Sequence, residues 1–301
     1  ALMMKDAILA LKAVCFGIGD VVDSSVIKMG LWPPASIERA SDSAALRDSH
    51  VVITGGNRGV GFETARQFVR AGSRVTLACR NTDAALKAVE QLVDEERCDR
   101  RALRVIALDL ADLSSAKKSA DALGQVDILI ANAGVMFPRG DAASSDGYDL
   151  TIQTNFLTHA LLTNALLDRG RLSRCVLLSS VSHHAGRVTS WTSTAATSPS
   201  TWGMWKRYCE SKLASRLYAG ELHRRLAVDA VSVDPGISSS MLGVEFFSHW
   251  WTGVGLLPSA WRTKILRCVL RSPADSARLV FWAAASAPAG SHVTAYRTRR
   301  V

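Results

Sequence analysis

The chain has 301 residues, of which 48% are hydrophobic and 21% charged; this balance is ordinary for a globular protein and excludes wholesale disorder. Its formal net charge of +9 suits a phosphate-bearing ligand or an anionic membrane surface. The sequence has neither zinc-finger spacing nor a basic stripe interleaved with aromatic residues, so nucleic acid is the least expected partner. The six cysteines are scattered without a C-x-x-C pair, which indicates a reducing compartment.

The first 48 residues are predicted to form an amphipathic arm and a linker. Residues 7–19 are apolar but interrupted by a lysine, and they are too few for a confident membrane span. They would lie on the main domain or on a membrane surface; a frayed helix packed on the core explains the same pattern. Pro33 and Pro34 begin the linker into a domain that is predicted to span residues 49–301.

The first predicted strand of that domain, His50–Thr54, runs directly into a glycine-rich turn and then into a helical stretch. This order is typical of a nucleotide-binding motif, in which the helix N-terminus faces phosphates. Gly55 would permit the tight turn, Gly59 would let the backbone approach a pyrophosphate, and Gly61 would let the helix pack close to the strand. We expect cofactor contacts from Gly55, Asn57, Arg58, Gly59, Val60 and Gly61.

The residue after the second predicted strand indicates which dinucleotide binds. In NAD-binding proteins an acidic residue about 20 positions beyond the glycines holds the ribose 2′-hydroxyl. Here the strand Arg74–Cys79 is followed by Arg80, and Arg58 lies inside the glycine turn. Two guanidinium groups suit a 2′-phosphate, so the sequence predicts NADP(H) rather than NAD(H).

Strands and helices continue to alternate along the chain. Helices are predicted over residues 83–96 and 114–123, and strands over residues 103–108 and 126–131. This alternation predicts an α/β fold, a doubly wound parallel sheet of the Rossmann type, in a single domain. The loops after the two strands are expected to contact the adenine and a ribose, through Asp109, Leu110, Asn132, Ala133 and Gly134. For the aspartate of this set, a plain helix N-cap is the competing role.

Residues 208–226 are predicted to form a helix, with apolar residues at roughly helical spacing. Tyr208 and Lys212 are four residues apart and would be neighbours on one face. An ammonium beside a phenol favours the phenolate, so Lys212 would lower the pKa of Tyr208 from about 10 toward the range of a working proton donor and acceptor. Such a pair is common by chance, and a solvated helix face is the competing interpretation.

Six stretches, in this order and spacing over about residues 51–240, resemble the short-chain dehydrogenase/reductase family. They are TGGNRGVG (54–61), DL (109–110), ANAG (131–134), LLSSVS (177–182), YCESK (208–212) and DPG (234–236). Within the family the chain is most similar to the branch of retinol dehydrogenases and WW-domain oxidoreductases. The resemblance implies an NADP(H)-dependent oxidoreductase that interconverts an alcohol and a carbonyl.

The resemblance also implies a catalytic quartet of Asn155, Ser180, Tyr208 and Lys212. Tyr208 would donate the proton and Ser180 would hold the carbonyl oxygen. Lys212 would bridge to the nicotinamide ribose, and Asn155 would orient a water that relays protons to the lysine. Further contacts with the nicotinamide are implied for Pro235, Gly236 and Ser240.

One departure from the branch lies beside this predicted site. Asp234 precedes Pro235 where the branch commonly has histidine. A carboxylate near the nicotinamide would slightly favour the oxidised, cationic ring.

Two segments without family motifs are predicted to build the substrate side. Residues 187–206 hold three tryptophans, and residues 241–261 hold five aromatic residues besides a histidine. The second segment falls in a predicted helical lid over about residues 241–272. The aromatic residues would line a lipophilic pocket or rest on a membrane interface; a buried packing cluster is the competing interpretation.

The expected substrate is therefore a bulky, lipophilic small molecule such as a retinoid, a steroid or a long-chain aldehyde. We expect no nucleic-acid partner and no metal site, and a location in the cytosol or on the cytosolic face of a membrane. A homodimer and a peripheral membrane contact both stay open. Two other functions also stay open: a catalytically idle NADP(H) sensor or scaffold, and a reductase of C=C bonds on the same scaffold.

Overall fold

The computed structural model describes residues 46–138, 143–187, 201–238, 270–294 and 298–300. Their strands form one sheet in the order β3-β2-β1-β4-β5-β6-β7-β8. The first seven strands are parallel, and β8 pairs with β7 in the antiparallel sense. The strands are β1 (His50–Thr54), β2 (Arg74–Cys79), β3 (Leu103–Ala107), β4 (Val126–Ala131), β5 (Leu172–Leu178), β6 (Asp229–Val233), β7 (Ser291–Val293) and β8 (Thr298–Arg300).

Helices connect the parallel strands. The described helices are α1 (Gly59–Arg70), α2 (Thr82–Glu96), α3 (Leu113–Ala122), α4 (Thr158–Leu167), α5 (Thr201–Leu226) and α6 (Pro273–Ser286). Short 3₁₀ turns span Arg100–Ala102 and Val181–Ala185. One helical turn, Leu150–Ile152, and a π-helical turn, Gln153–Leu157, lead into α4.

The helices cover both faces of the sheet. Successive side chains of a strand point to opposite faces. Val51 and Ile53 accordingly pack in one hydrophobic cluster with residues of α1, α2 and α6, whereas Val52 packs in the other with residues of α3, α4 and α5. The predicted single-domain, doubly wound parallel sheet is confirmed.

The strand order reverses between β1 and β4, which lie side by side in the middle of the sheet. The chain proceeds outward from β1 to β2 and β3, and then outward from β4 to β5, β6 and β7. In an open parallel sheet such a reversal leaves a crevice at the carboxyl ends of the strands, where ligands bind. The glycine turn and the loop after β4 both lie at this point.

Several predicted boundaries differ from the observed ones. α1 begins at Gly59, inside the glycine turn rather than after it. α5 begins at Thr201, seven residues before Tyr208, which therefore lies inside the helix. The residues before α4 include the π-helical turn rather than a regular α-helix throughout.

Some expectations fall outside the described residues. These are residues 1–45 of the arm, residues 241–269 of the lid, Ser240 and Trp191. Within the part of the chain that the structure describes, every helix is too short or too polar to cross a bilayer.

Candidate active site

The glycine turn packs against the loop that follows β4. Gly55 has a φ of +65°, a conformation that L side chains rarely adopt, and a Cβ there would lie 2.9 Å from the Cβ of Ala133. A Cβ at Gly61 would lie 2.4 Å from Asn132 Nδ2. The two loops therefore approach closely only because these positions lack side chains.

The start of α1 suits an anionic ligand. Its N-cap residue, Arg58, is extended and makes no capping hydrogen bond through its side chain, and no acidic residue lies in the first turn. Amide groups at a helix N-terminus carry a partial positive charge and bind phosphates when a side chain does not cap them. The glycine turn and this helix start together fit the pyrophosphate of a dinucleotide.

Two exposed cations, Arg58 in the glycine turn and Arg80 directly after β2, lie where the adenine half of the cofactor is predicted to bind. Asp109 accepts a hydrogen bond from the amide of Ala111 at 3.0 Å. The N-cap of α3 is Asp112, whose carboxylate accepts from the amide of Ser114, so the competing N-cap role for Asp109 is excluded. The contact predicted between Asp109 and the adenine stays a prediction.

The neighbouring Leu110 is buried, and its carbonyl accepts a hydrogen bond from Thr158 Oγ1 at 2.8 Å. This bond joins the loop after β3 to the start of α4. Because the Leu110 side chain lies in the core, any contact it makes with the cofactor would come through its backbone.

Three of the four predicted catalytic side chains meet at the carboxyl ends of β4 and β5. Ser180 caps the 3₁₀ turn after β5, with its Oγ 3.4 Å from Ser182 Oγ, and its hydroxyl is close enough to Tyr208 to lower the pKa of the phenol. Lys212 Nζ donates to the carbonyl oxygen of Leu178 at 3.0 Å and lies 5.5 Å from the centroid of the Tyr208 ring. Tyr208 and Lys212 are thus neighbours on α5, as their spacing predicts.

The predicted effect of Lys212 on the pKa of Tyr208 is wrong for the protein without cofactor. Burial raises the pKa of Tyr208 above its usual value; the Ser180 hydroxyl opposes this, and the charge of Asp234 adds to it. Burial also lowers the pKa of Lys212 to about 8, against a raising effect of Asp234. Desolvation of both groups therefore outweighs their proximity.

Asn155 lies in the π-helical turn, a distortion that often marks functional sites. Its Nδ2 donates to the carbonyl of Val135 at 2.8 Å and to Ser211 Oγ at 3.0 Å, and its Oδ1 accepts from the amide of Val135 at 2.7 Å. The side chain therefore fastens the loop after β4 to α5. Its predicted role in orienting a water stays a prediction.

Gly134 lies between the cofactor loops and the catalytic side chains. A Cβ at this position would lie 3.1 Å from Asn155 Oδ1 and 3.7 Å from Lys212 Nζ. On the other side, Pro235 and Gly236 follow β6; Gly236 has a φ of +76°, and its amide donates to Asp234 Oδ1 at 3.1 Å. Of these predicted contacts, Gly134 lies beside Lys212, and Gly236 is bonded to Asp234, whose charge raises the pKa of Lys212.

Two residues that the sequence analysis missed join these loops. Thr54 Oγ1 accepts the amides of Asn132 and Ala133, each at 3.0 Å, and lies 2.9 Å from His159 Nε2. Asn132 Nδ2 also donates to the carbonyl of Thr54 at 2.8 Å. A threonine directly before the glycine turn is the one local signal for this contact; nothing in the sequence near His159 indicates its partner.

An apolar cluster adjoins the candidate active site. Met136, Trp205, Tyr208 and Cys209 are its buried members, and Phe137 and Trp202 pack against it while half-buried. The rings of Trp202 and Trp205 lie 4.9 Å apart with an interplanar angle of 30°. The phenol of Tyr208 therefore borders a surface of aromatic and sulfur-containing side chains.

Residues 49–248 match the family model described as short chain dehydrogenase. The chain belongs to the short-chain dehydrogenase family. Members of this family are oxidoreductases that use nicotinamide cofactors. The glycine turn and the N-terminus of α1 fit the pyrophosphate of such a cofactor. The assignment agrees with the resemblance stated from the sequence motifs.

Retinol dehydrogenases are among the relatives of this chain. Retinol dehydrogenase 12 of Homo sapiens is 39% identical over 205 residues, which are 64% of this chain and 62% of that protein. Retinol dehydrogenase 13 of Mus musculus is 34% identical over 236 residues, which are 72% of this chain and 67% of that protein. The match thus spans less than two thirds of the length of retinol dehydrogenase 12.

Solved structures share the fold. An uncharacterised protein from Mycobacterium paratuberculosis superposes with a TM-score of 0.62 at 32% identity, covering 85% of each chain. A short chain dehydrogenase from Shigella flexneri, crystallised with NADP, superposes with a TM-score of 0.60 at 19% identity, covering 83% of this chain and 98% of that one. The second likeness concerns the fold alone.

Proposed function

We propose that this protein is an NADP(H)-dependent oxidoreductase that interconverts an alcohol and a carbonyl on a bulky lipophilic substrate. The observation that carries the proposal is the meeting of Ser180, Tyr208 and Lys212 beside the glycine turn, at the carboxyl edge of the sheet. A hydroxyl, a phenol and an ammonium at one place form a proton-transfer site next to a dinucleotide crevice.

The chemistry follows from these three groups. Bound NADP(H) would supply or accept the hydride. During reduction the substrate oxygen gains negative charge; Ser180 donates a hydrogen bond to it, and Tyr208 donates its proton. The raised pKa of Tyr208 keeps the phenol protonated at neutral pH, which is the form that a proton donor needs. Lys212, with a pKa of about 8, exchanges protons near neutrality and can reprotonate the phenol.

The choice of NADP(H) rests on the two exposed guanidiniums. Arg58 lies in the glycine turn and Arg80 directly after β2, where a carboxylate would favour NAD(H). Both side chains are exposed and basic, so they suit a 2′-phosphate on the adenine ribose. The NADP in the Shigella flexneri relative is consistent with this choice.

The substrate class rests on the apolar cluster around Tyr208. Phe137 and Trp202 leave part of their rings exposed next to the phenol. Aromatic side chains with a few polar groups are typical of pockets for apolar ligands. The names of the two retinol dehydrogenase relatives point the same way, so a retinoid, a steroid or a long-chain aldehyde is proposed.

A reducing location is proposed on the cysteines. Cys79, Cys98, Cys175 and Cys209 are all free thiols, and three of them are buried. Free buried thiols act as small apolar side chains and persist where disulfides do not form. The cytosol or the cytosolic face of a membrane meets this condition.

The first experiment measures cofactor binding and turnover. Fluorescence titrations with NADPH and NADH are followed by a panel of retinal, long-chain aldehydes, steroid ketones and small polar ketones. We expect tighter binding of NADPH and faster turnover of the apolar carbonyls. Equal turnover of small polar ketones would contradict the substrate class, and binding without any turnover would indicate a sensor. An enone in the panel, with product analysis, separates carbonyl reduction from C=C reduction.

The second experiment removes the phenol. Tyr208→Phe is expected to bind NADPH as the wild type does and to lose at least 100-fold in kcat, as general acid catalysis contributes about that much. Tyr218→Phe is the matched control: Tyr218 lies on the same helix, and its hydroxyl donates to Asn164 Oδ1 at 2.5 Å, outside the site. Unchanged activity of Tyr208→Phe would remove this tyrosine from the mechanism.

A further inference from the structure

Arg216 lies on α5, four residues after Lys212, which itself lies four residues after Tyr208. Residues at this spacing lie on the same side of a helix, one turn apart. Whereas Tyr208 and Lys212 reach the candidate active site, Arg216 reaches His183, with Nη1 2.5 Å from Nε2 of the imidazole. His183 lies in the 3₁₀ turn that Ser180 begins.

The other ring nitrogen of His183 contacts the catalytic serine. Nδ1 lies 2.6 Å from the carbonyl oxygen of Ser180, and the backbone amide of His183 donates to the same oxygen at 2.9 Å. Arginine can only donate, so Nε2 must accept and the ring proton must be on Nδ1, where it faces the Ser180 carbonyl. One neutral tautomer thus satisfies both nitrogens.

The surroundings of the imidazole favour its neutral form. His183 is buried; its ring lies 4.0 Å from the ring of His184 and 5.0 Å from that of His292, which is buried and bonded through Nδ1 to Ser232 Oγ. Burial, His184 and the charge of Arg216 lower the pKa of His183 to about 4, against a raising effect of its bond to Ser180. A charged imidazole would lose the bond from Arg216, because both ring nitrogens would then donate.

The turn that carries Ser180 is held against α5 at two other points. Ser179 Oγ donates to the carbonyl of Lys212 at 2.9 Å. A Cβ at Gly186 would lie 2.5 Å from the carbonyl oxygen of Cys209, so the end of the turn lies directly on the helix backbone. These two contacts fix the start and the end of the turn, and the contact through His183 fixes its middle.

We propose that Arg216 and His183 are a positioning pair, which holds the Ser180 backbone so that its hydroxyl meets Tyr208. Arg216 locks the imidazole in the Nδ1–H tautomer, and the imidazole then fixes the Ser180 carbonyl. Neither side chain touches the substrate. The pair acts on the proposed carbonyl reaction through Ser180 alone, so the inference rests on the function proposed above.

The first test reads the tautomer and needs no activity. Two-bond ¹H–¹⁵N correlation spectra of ¹⁵N-histidine protein distinguish the two neutral tautomers and the imidazolium, and His183→Asn identifies the signal of His183 among the seven histidines. We expect the neutral Nδ1–H form in the wild type from pH 8 down to pH 5, and a mixture of tautomers in Arg216→Met. An Nε2–H form or an imidazolium in the wild type at pH 7 would overturn the proposal.

The second test asks whether the pair acts through the serine. Arg216→Met is expected to lower kcat roughly 10-fold, less than the roughly 100-fold that a 1 Å misplacement of a reacting group can cost. The KM for NADPH should change little, and Arg216→Lys should restore part of kcat. In a Ser180→Ala background the same substitution should have no further effect, since the group that it positions is gone. Arg225→Met, an exposed position at the end of the same helix, is the matched control and should keep the wild-type kcat.

The outcomes separate the two proposals. If Tyr208→Phe and Ser180→Ala keep full activity, the proposed function fails, and the tautomer spectra still decide whether Arg216 locks His183. If those variants lose activity while Arg216→Met keeps it, only the positioning pair is refuted. An equal loss from Arg216→Met with and without Ser180 would also refute it, because it would show a general effect on the fold.

Discussion

His159 Nε2 lies 2.9 Å from the hydroxyl of Thr54, in the interior between the glycine turn and α4. Thr54 Oγ1 accepts two backbone amides, and its own proton has two acceptors within reach: His159 Nε2 at 2.9 Å and, more distant, the carbonyl of Ile130 at 3.5 Å. His159 Nδ1 then carries the ring proton and donates to the carbonyl of Asn155 at 3.1 Å. Burial lowers the pKa of His159 to about 4, with Lys212 adding to this and the bond to Asn155 opposing it. A neutral histidine thus links Thr54, directly before the glycine turn, to the π-helical turn that carries Asn155.

Removing the hydroxyl should weaken this link. Thr54→Val keeps the shape of the side chain but leaves the amide of Ala133 and one imidazole nitrogen without a partner, each of which costs about 1–3 kcal/mol. The amide of Asn132 keeps its bond to the carbonyl of Ile130 at 3.0 Å. We expect the free energy of unfolding to fall by roughly 2–4 kcal/mol and the affinity for NADPH to fall with it. Urea denaturation and a fluorescence titration measure the two effects.

Thr163→Val is the matched control for that substitution. Thr163 is as fully buried as Thr54, but its hydroxyl donates to the carbonyl of His159, one turn earlier in the same helix, at 2.8 Å. Its loss leaves no buried amide without an acceptor, so a cost of about 1 kcal/mol or less is expected. Equal costs for the two variants would contradict the role given to Thr54.

Local patterns predicted most of the elements because their signals are short-range. Strand β1, the glycine turn and α1 follow one another without a gap, and β2 and β4 were placed with the observed bounds. The start of α5 was missed because Trp202, Gly203 and Trp205 are weaker helix formers and interrupt the helical pattern. These residues join the helix by packing Trp205 into the apolar cluster. Tertiary packing there overrides local propensity.

The candidate site was predictable in its members but not in its energetics. The spacing of Tyr208 and Lys212 placed them on one face, but it carries no information on burial, which decides the direction of both pKa shifts. The contact between Thr54 and His159 joins residues 105 positions apart, so no local pattern could indicate it. The π-helical turn at Asn155 likewise depends on the packing of its neighbours rather than on a sequence signal.

The buried ammonium of Lys212 should destabilise the protein without cofactor. Its folded-state pKa of about 8 lies below its ordinary value of 10.5, so the charged form is disfavoured by folding. The cost, on the order of 3 kcal/mol, is fully present below pH 8 and disappears as pH rises from 8 to 10.5, because the folded state then releases its proton first. Lys212→Met should therefore unfold at higher urea concentration at pH 7 and lose catalysis.

Lys117→Met is the control, since Lys117 is exposed on α3, away from the crevice. The stability difference between wild type and Lys212→Met should shrink with rising pH between 8 and 10, whereas that between wild type and Lys117→Met should stay constant. A wild type that is more stable than Lys212→Met at pH 7 would show that the bond from Nζ to the Leu178 carbonyl outweighs the desolvation.

Asp234 should contribute to the pH dependence of turnover, beside the larger effect of burial on Tyr208. Its charge raises the pKa of Tyr208, and in alcohol oxidation the phenol must lose its proton before it can act as a base. Asp234→Asn keeps the acceptor for the amide of Gly236 but removes the charge, so the rising limb of the rate–pH profile should move to lower pH. Initial rates of alcohol oxidation as a function of pH measure the shift.

Asp121→Asn serves as the control for that profile, because Asp121 pairs with Arg169 on the surface of α3 and α4. It removes the same charge from the protein, so its profile should match that of the wild type. A shift to higher pH in Asp234→Asn, or the same shift in both variants, would refute a local effect of Asp234 on Tyr208.

Arg80 should discriminate between the two dinucleotides. It is exposed directly after β2, so a 2′-phosphate beside it would make a charge-assisted contact that NADH lacks. We expect Arg80→Ser to weaken NADPH binding roughly 10-fold, and less at high salt because exposed charges are screened, with NADH binding unchanged. Arg101→Ser is the matched control. Arg101 is also exposed, but it precedes β3 and so lies at the amino ends of the parallel strands, away from the crevice. This variant should bind both cofactors as the wild type does. Tighter binding of NADH than of NADPH by the wild type would refute the roles given to Arg80 and Arg58 together.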